Sequence, residues 1–354
     1  MEPDFFSIIS RFRTDGQVKQ VFPYGSGHIN DSYKVYTGNQ NYLLQRVNSS
    51  VFRDVPGLTS NLIKVTDRLV ENNSNPAMKV LKSIMTNKGD FILKDESENY
   101  WRVFDFIEGS KSFDRVENPG IAFEGGKAYG WFLKMLDGFP VNKLMEPIPK
   151  FHDMEFRLNN LRKAVKQDIA GRAARVRDET GFAEKRSEEM KLVSKMGIEG
   201  TIPLRVTHND TKINNVLFDE ENKAVCVIDL DTVMPGYVHF DFGDAIRTFA
   251  NTADEDEKDV SKVRMNLELF EAFSKGFLSE TKTILKPAEL ATLAFSARMM
   301  TYIIGIRFLT DYLEGDTYYK TQYPEHNLVR ARVQFRLIES MEEQFEEMQG
   351  VIAS

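Results

Sequence analysis

The chain has 354 residues, of which 42% are hydrophobic and 28% are charged, as in globular proteins with a sizeable buried core. Its formal net charge of -7 argues against a dedicated nucleic-acid binder, which carries a basic face. The only cysteine, Cys226, excludes an internal disulfide framework, and its apolar neighbours favour a buried side chain over a nucleophile. The first residues lack a sustained apolar run, so we expect no secretory signal, and no segment reaches the ~18 apolar residues of a membrane helix. We expect a cytoplasmic protein without nucleic-acid or membrane partners. Its oligomeric state stays open, with a monomer favoured.

The first hundred residues carry the signals of an antiparallel sheet. Apolar residues recur at helical spacing over residues 58–71, which predicts one helix in this part. A Gly-Asn-Gln turn between two β-like runs is typical of a hairpin. Alternating patterns and turn chemistry predict strands over residues 21–24, 32–37, 41–47, 80–84, 91–94 and 100–107.

The pattern changes at residues 108–110 (Glu-Gly-Ser), which we predict as the domain boundary. Beyond it, strand and turn signals are confined to residues 204–231. The fold class is therefore predicted as α+β, with domains over residues 1–108 and 109–354. Helical periodicity covers residues 118–137, 154–168, 173–196, 242–252, 258–279, 287–313 and 326–349.

The segment that starts T-H-N-D and ends I-D-L-D contains the side chains that phosphoryl transfer requires. Asp210 is a carboxylate that can orient an attacking hydroxyl group and accept its proton. Asn215, five residues later, has an amide oxygen that suits Mg²⁺, and Asp229 follows an apolar strand with a carboxylate for the same ion. Asp231 could add a second metal ligand or cap the next turn. His208 is predicted to tie the turn to backbone groups. Together, these residues and their spacing predict a kinase, and a surface turn is the weaker alternative.

Two other segments are candidates for nucleotide contacts. In Y-G-S-G-H-I-N, Gly25 and Gly27 lie between predicted strands, where backbone N–H groups can approach phosphate oxygens, although an ordinary turn also uses glycine. His28 and Asn30 are polar residues of this loop that could reach the phosphates or the acceptor. The strand ending at residue 107 leads into the helical part. Backbone groups at its end could contact an adenine edge, and a plain core strand is the alternative.

Motifs along nearly the whole chain match one family pattern. They are Y-G-S-G-H-I-N, P-L-R-V-T-H-N-D-T-K-I-N-N, I-D-L-D-T-V-M-P-G, F-D-F-G-D, R-F-L-T-D-Y-L-E-G-D and Y-P-E-H-N-L-V-R. With them the chain resembles the aminoglycoside phosphotransferase and choline kinase family of small-molecule kinases. Within that family it is similar to the bacterial N-acetylhexosamine 1-kinases, chiefly through the last two motifs.

The resemblance implies a bilobal protein-kinase-like fold. Its N-terminal lobe (residues 1–108) would be an antiparallel sheet with one main helix that binds nucleotide, and its helical lobe (109–354) would bind the sugar and carry out catalysis. It implies Asp210 as the catalytic base, Asn215 and Asp229 as Mg²⁺ ligands, and ATP as the phosphoryl donor. The implied nucleotide contacts are Gly25, Ser26, Gly27, Asn30, Gln45, Phe104, Asp105, Phe106 and Ile107. The implied sugar contacts are His28, Asp210, Lys212, Asp241, Arg307 and Tyr318.

Arg307 also has support from the sequence itself. It lies in the otherwise apolar helix M-M-T-Y-I-I-G-I-R-F-L, and a buried guanidinium group needs polar partners. Sugar hydroxyl groups would serve. The structural alternative is an ion pair with Asp311 or Asp316.

One position departs from the kinase pattern. Kinases of this fold use a lysine on the hairpin strand to contact the phosphates, and here the aligned residue is Gln45, with Asn61 on the helix as its expected partner. If the register slips by one residue, Arg46 takes the position instead, and the strand faces exchange. Lys212 and Mg²⁺ are other sources of the lost positive charge.

The predicted function is phosphorylation of the anomeric hydroxyl group of N-acetylglucosamine or N-acetylgalactosamine by ATP and Mg²⁺. One alternative keeps the family and changes the acceptor to choline, homoserine, methylthioribose or an aminoglycoside. A second alternative is a role in mucin sugar desulfation, against which the absence of a sulfatase motif around Cys226 argues. A third is a catalytically silent binder, which the presence of Asp210, Asn215 and Asp229 disfavours.

Overall fold

An antiparallel sheet forms the first part of the chain in the computed structural model, which describes residues 3–25 and 29–354. The predicted hairpin is confirmed, and in it Ser32 pairs with Gln45. The strands are β1 Gln20–Pro23, β2 Asp31–Tyr36, β3 Asn41–Val47, β4 Ser83–Ile84, β5 Leu93–Lys94 and β6 Tyr100–Asp105. Their order is β1-β2-β3-β6-β4, and β5 also pairs with β6.

Helices form most of the remaining chain. Two strand pairs interrupt them, built from β7 Arg205–Thr207, β8 Val216–Phe218, β9 Ala224–Val227 and β10 Met234–Gly236. The helices are α1 Phe5–Ile9, α2 Val55–Asn72, α3 Pro119–Met135, α4 Met154–Gln167, α5 Arg177–Arg186, α6 Leu192–Ile198, α7 Val238–Phe249, α8 Leu267–Thr281, α9 Pro287–Leu313, α10 His326–Glu343 and α11 Phe345–Ala353. Within residues 3–25 and 29–354, none of them has the length and apolar character needed to cross a membrane.

The predicted α+β arrangement is confirmed. The differences concern where elements end and the short helix α1, which has no counterpart among the predicted elements. The helix expected over residues 173–196 is divided into α5, a 3-10 turn at Glu189–Lys191 and α6, while the one expected over 326–349 breaks at Gln344. Side chains around the first break make tertiary contacts: Met190 is fully buried, and Glu189 forms an ion pair with Arg298 of α9. Such contacts override a helical pattern that the sequence carries without interruption.

Capping residues set where several helices begin. Asp54 accepts a hydrogen bond from the backbone N–H of Gly57 at the start of α2, and Asn118 and Asp153 do the same for α3 and α4. Each side chain satisfies one of the N–H groups that a helix start leaves unpaired.

Glycines bring the helices that carry the site into close contact. A Cβ atom at Gly276 of α8 would lie 2.0 Å from a backbone oxygen of α3, and one at Gly126 of α3 would lie 2.1 Å from a backbone oxygen of α8. Gly243 does the same between α7 and α9, where the added Cβ would lie 2.2 Å from the backbone oxygen of Ser296. The backbones of α7 and α9 therefore touch, and this contact fixes the relative position of the side chains that both helices contribute to the site.

The two faces of the sheet have different roles. On one face Leu44, Trp101 and Val103 pack with α1 in a small hydrophobic core. Since neighbouring residues of a strand point to opposite faces, Gln45 and its cross-strand neighbour Arg102 point to the other face, toward the helical part.

Candidate active site

The loop between β7 and β8 carries Asp210, and carboxylates of α7 bond to the backbone of this loop. The carboxylate of Asp241 accepts the backbone N–H groups of His208 at 2.8 Å and Asn209 at 2.7 Å. Asp244, one turn further along α7, accepts the N–H of Thr211 at 3.0 Å. Burial raises the pKa of Asp241 to about 6. Asp241, which the resemblance places at the sugar, has both oxygens occupied by the loop backbone, so we assign it a positioning role.

His208 ties the same loop to the strand that leads to Asp229. Its ring is fully buried, its Nε2–H donates to the backbone oxygen of Ile228 at 2.9 Å, and the rings of Tyr129 and Phe132 pack on it. Its Nδ1 accepts the N–H of Asp210 at 3.3 Å. The prediction that His208 holds the turn through backbone groups is confirmed.

Asp210 is held in an ionised form by its neighbours. Lys212 Nζ lies 2.8 Å from Oδ1, and the amide of Asn215 donates to the Asp210 backbone oxygen at 2.8 Å and to Oδ2 at 3.2 Å. Burial alone would raise the pKa of Asp210, but the positive charge of Lys212 and its hydrogen bond hold the pKa below its usual value. Lys212 thus forms an ion pair with the predicted catalytic carboxylate, whose side chain is 22% exposed.

Asn215 and Asp229 are brought together by the β8–β9 pair. Ile228 donates its N–H to the backbone oxygen of Asn215 at 2.9 Å, which places Asn215 beside the start of the following turn. Asp229 adopts a left-handed backbone conformation at φ 59°, a geometry often found at functional sites. The residue is exposed to solvent. The surrounding protein and the charges of Asp231 and Asp210 raise its pKa to about 7.

The donor set here fits a magnesium ion. Within residues 3–25 and 29–354, the Asp229 carboxylate forms no hydrogen bond or ion pair, and the Asn215 side-chain oxygen accepts none. The same part of the chain contains no group of three His, Cys, Asp or Glu side chains placed to hold a metal. One carboxylate and one amide oxygen leave the other positions to phosphate oxygens and water, the coordination that Mg²⁺ favours at phosphate sites.

The glycine loop is described in part. Ser26, Gly27 and His28 lie outside the described residues. Gly25 has φ 81°, which favours glycine, and nothing lies within 4 Å of the position that its Cβ would take. Asn30 donates to Asp231 Oδ2 at 2.7 Å, so the end of this loop is tied to the turn that begins at Asp229.

Gln45 does not pair with Asn61. Asn61 instead bonds to backbone groups of the helical part, accepting the N–H of Met145 and donating to the Met145 and Val233 oxygens. Gln45 accepts hydrogen bonds from Arg102 Nη2 at 2.8 Å and Nε at 3.1 Å. The expected pair does not form because Gln45 and Arg102 lie opposite each other on the adjacent strands β3 and β6, whereas Asn61 of α2 bonds to the helical part.

The slipped register is also wrong. Arg46 pairs with Asp31 and lies over the ring of Trp101, on the face of the sheet that packs against α1. Arg102, which the sequence interpretation missed, is a cation on the face toward the helical part. Its signal was a charged residue in the otherwise apolar strand Y-W-R-V-F-D, since a buried arginine in a strand requires partners.

The crossover from sheet to helices offers free backbone donors beyond the sheet. Phe104 pairs with strands on both sides, and the N–H groups of Asp105 and Phe106 donate to the oxygens of residues 82 and 41. In the described chain the N–H groups of Ile107 and Glu108 donate to no protein acceptor. Of the four residues predicted to contact adenine through their backbone, Ile107 therefore keeps a free N–H, and Glu108 adds another.

Arg307 lies on α9 among aromatic rings. Its guanidinium carbon is 4.8 Å from the centre of the Phe151 ring, 5.8 Å from Tyr319 and 6.0 Å from Tyr318. The side chain is 9% exposed, and within residues 3–25 and 29–354 it forms no ion pair or hydrogen bond. Tyr318 is largely exposed beside it.

Both carboxylates considered as partners for Arg307 are occupied elsewhere. Asp311 accepts the N–H groups of Thr317, Tyr318 and Tyr319 and the amide of Asn327. Asp316 pairs with Arg172 at 2.6 Å. The ion-pair alternative for Arg307 is therefore wrong. Asp311 instead holds the turn that brings the two tyrosines next to Arg307.

His152, which the sequence interpretation also missed, links the surroundings of Arg307 to the loop of Asp210. Its Nε2–H donates to the backbone oxygen of Asn209 at 3.0 Å, and its ring contacts Phe151 and Phe240. Burial, together with the positive charge of Arg307, lowers the pKa of His152 to about 4. The charge of Arg307 thus affects the pKa of His152, a residue that bonds to the loop of Asp210.

The order of these elements and the composition of the site match a known family. Residues 21–265 match the model of the phosphotransferase enzyme family. The chain belongs to this family. It is therefore a small-molecule phosphotransferase, and the match spans the sheet, the crossover and the loop of Asp210.

Solved structures show the same kinase-like fold as this phosphotransferase. An aminoglycoside phosphotransferase from Alicyclobacillus acidocaldarius is similar with a TM-score of 0.64 at 11% identity, over 98% of each chain. A choline kinase from Cryptosporidium parvum has a TM-score of 0.56 at 15% identity, over 98% of this chain and 96% of that one. A spectinomycin phosphotransferase in complex with ADP and spectinomycin has a TM-score of 0.55 at 12% identity, over 99% and 96%. At these identities the likeness shows the fold alone.

Proposed function

We propose that this phosphotransferase transfers the γ-phosphoryl group of ATP to the anomeric hydroxyl group of an N-acetylhexosamine and releases a sugar 1-phosphate. The sheet part, residues 1–108, would bind the nucleotide, and residues 109–354 would bind the sugar and carry the catalytic groups. N-acetylglucosamine and N-acetylgalactosamine are the proposed acceptors.

Asp210 is the proposed catalytic base. Its carboxylate would orient the sugar O1 hydroxyl group and receive its proton as the phosphoryl group is transferred. The contacts of Lys212 and Asn215 support this role, because they keep the carboxylate ionised and in a fixed orientation. Lys212, bonded to Oδ1, keeps the carboxylate in one orientation and adds positive charge near the transferred group.

Asn215 and Asp229 are the proposed ligands of Mg²⁺. A bound Mg²⁺ ion supplies positive charge that neutralises the phosphate oxygens during transfer. The unpartnered carboxylate of Asp229 supports this assignment, since a cation at this position would offset the repulsion between Asp229 and Asp210. Asn215 would hold the ion through its amide oxygen while its amide nitrogen keeps Asp210 in place.

The proposed nucleotide contacts begin at the crossover. The free N–H groups of Ile107 and Glu108 suit the adenine edge, and Phe106 offers an apolar surface. Gly25, Ser26, Gly27 and Asn30 stay the proposed phosphate loop, and His28 stays a proposed sugar contact. Gln45 supports this region through Arg102, and its own amide donates to Ser32 at 2.9 Å.

The charge around Arg307 is the observation that carries the choice of acceptor. Arg307 is nearly buried, and no carboxylate of the described residues pairs with it. Burial and the neighbouring charge of Arg307 lower the pKa of Arg157 to about 10, so a second cation lies close to Arg307. Two neighbouring cations disfavour a cationic acceptor such as choline or an aminoglycoside. They favour a neutral, oxygen-rich acceptor whose hydroxyl and acetamido oxygens accept hydrogen bonds from guanidinium groups, while Tyr318 packs on the sugar ring.

Phosphorus NMR of the product tests the proposal directly. The protein would be incubated with ATP and Mg²⁺ and, separately, with each of the two N-acetylhexosamines, choline, homoserine, methylthioribose and an aminoglycoside. A sugar 1-phosphate signal with the N-acetylhexosamines alone is the expected outcome. A 6-phosphate product, or turnover with a cationic acceptor in place of the sugars, would refute the assignment.

Two variants test the roles of individual residues. Asp210→Asn should reduce turnover by about 10²–10⁴-fold and leave ADP binding nearly unchanged, since the amide cannot accept the proton. Arg307→Met should raise the KM for the sugar about tenfold or more and leave the KM for ATP unchanged, because a buried charged hydrogen bond is lost. Arg332→Met, which removes an exposed arginine of α10 that pairs with Glu179 of α5, is the matched control and should behave as the parent protein.

A further inference from the structure

A buried arginine connects the sheet to the turn that begins at Asp229. Arg102 Nη1 donates to Asp231 Oδ1 at 2.6 Å, and Nη2 donates to Asp231 Oδ2 at 2.8 Å. Both side chains are nearly inaccessible, at 4% and 3% exposure. A two-pronged contact of this kind fixes both the distance and the orientation of the carboxylate.

Other side chains hold this pair in place. Gln45 accepts hydrogen bonds from Arg102 Nε and Nη2, and Gln45 is itself bonded to Ser32 of the neighbouring strand. On the other side, Asn30 donates to Asp231 Oδ2 and accepts the N–H of Asn48. Asp231 is therefore bonded directly by Asn30, which precedes β2, and by Arg102 of β6, which Gln45 of β3 holds in turn.

Arg102 is not free to bind phosphate in the manner of a lysine. Its four hydrogen bonds go to Asp231 and Gln45, and the carboxylate of Asp231 balances its charge. These hydrogen bonds fix the position of Asp231 in the turn Leu230–Thr232, which Asp229 immediately precedes. Asp229 has a left-handed backbone, an unfavourable conformation for a residue other than glycine that persists where surrounding contacts enforce it.

We propose that Arg102 is a positioning residue that holds Asp231 and thereby keeps the Asp229 carboxylate directed toward the metal–phosphate site. Arg102 thus takes the structural part of the missing lysine, coupling the sheet to the catalytic turn, while the charge at the phosphates comes from elsewhere. This inference rests on the proposed function only for the nucleotide and Mg²⁺, and it is independent of the acceptor.

Binding of Mn²⁺, a paramagnetic substitute for Mg²⁺, separates this role from a general structural one. The affinity for Mn²⁺ in the presence of ADP would be measured by electron paramagnetic resonance, and the affinity for adenosine by calorimetry. Arg102→Met should weaken Mn²⁺ binding with ADP about 10–100-fold, as losses of groups that orient a metal ligand do. Adenosine affinity should stay within about twofold of the parent value, since the base would bind at the crossover and not at the turn.

Arg46→Met is the matched control. It removes an arginine from the neighbouring strand, where it forms an exposed pair with Asp31 on the opposite face of the sheet, so both affinities should stay unchanged. Arg102→Lys keeps the charge but cannot bond both Asp231 oxygens and Gln45 together, so a partial loss of Mn²⁺ affinity is expected. Gln45→Leu should give a smaller loss, because the Arg102–Asp231 pair stays intact.

Several outcomes would overturn the inference. Mn²⁺ affinity within about twofold of the parent protein in Arg102→Met would show that the pair does not position the metal ligand. An equal loss of adenosine affinity would show a general structural role instead. If Arg102→Met does not fold, Arg102→Lys decides, and parent-like Mn²⁺ affinity in that variant refutes the two-pronged geometry. A parent protein that binds Mn²⁺ and ADP but phosphorylates no amino sugar would refute the acceptor and leave Arg102 unaffected. Failure of the parent to bind Mn²⁺ with ADP would overturn both.

Discussion

His152 should make the stability of this phosphotransferase depend on pH. Its buried ring donates Nε2–H to the Asn209 oxygen, and within residues 3–25 and 29–354 its Nδ1 has no partner. Burial and the charge of Arg307 lower its pKa to about 4, against about 6.5 in an unfolded chain. Between these two values the unfolded state binds more protons than the folded state. The free energy of unfolding therefore falls as the pH drops from about 6.5 toward 4.

The expected size follows from the difference between the two pKa values. At about 1.4 kcal/mol per pH unit, the contribution lost on full acidification is about 3 kcal/mol, and most of it, about 2.5 kcal/mol, is gone at pH 4.5. His152→Gln removes the titrating ring but keeps an amide that can donate to Asn209. The fall in unfolding free energy between about pH 7.5 and 4.5 should be about 2.5 kcal/mol smaller in this variant than in the parent.

Urea unfolding followed by tryptophan fluorescence measures this difference, since Trp101 and Trp131 are both buried. Ile303→Val is the control, because it removes a methylene group from a fully buried side chain without removing a titrating group. It should lower stability by about 1 kcal/mol at both pH values and keep the pH dependence of the parent. An unchanged pH dependence in His152→Gln would refute the account of a neutral buried imidazole.

Other properties of the fold lead to further predictions. Burial raises the pKa of the Cys226 thiol to about 12, so a thiol reagent such as Ellman's should label the native protein slowly and the urea-unfolded protein fully; rapid native labelling would contradict this. Gly276→Ala should lower thermal stability by about 3 kcal/mol because of the close α3–α8 contact, whereas Gly181→Ala, with open space around its α5 position, should raise it by about 0.5–1 kcal/mol. Arg205→Met should cost about 3–5 kcal/mol by leaving the fully buried Glu289 unpaired, and adding Glu289→Gln should recover part of the loss; equal urea midpoints for the single and double variants would count against this.

The fold class could be predicted from the sequence, and so could the proximity of Asp210, Asn215 and Asp229, because both depend on local pattern. Strand alternation and turn residues predicted the hairpin that pairs Ser32 with Gln45. The spacing from Asp210 to Asn215 and on to Asp229 places these residues on one loop and one strand pair, so their proximity follows from short-range geometry. Sequence motifs also indicated the phosphotransferase family, which the family match confirmed.

The tertiary structure alone decided which side chains become partners across the molecule. Arg102 and Asp231 are 129 positions apart, and Asn209 lies 57 positions from His152, so no local period connects them. The sequence gives the face of a strand or helix on which a residue lies, but the packing of distant elements decides what that face meets. For this reason Gln45 was matched with Asn61 and Arg307 with Asp311 or Asp316. In the folded chain Gln45 bonds to Arg102 instead. No carboxylate of the described residues pairs with Arg307, and the proposed acceptor depends on this feature.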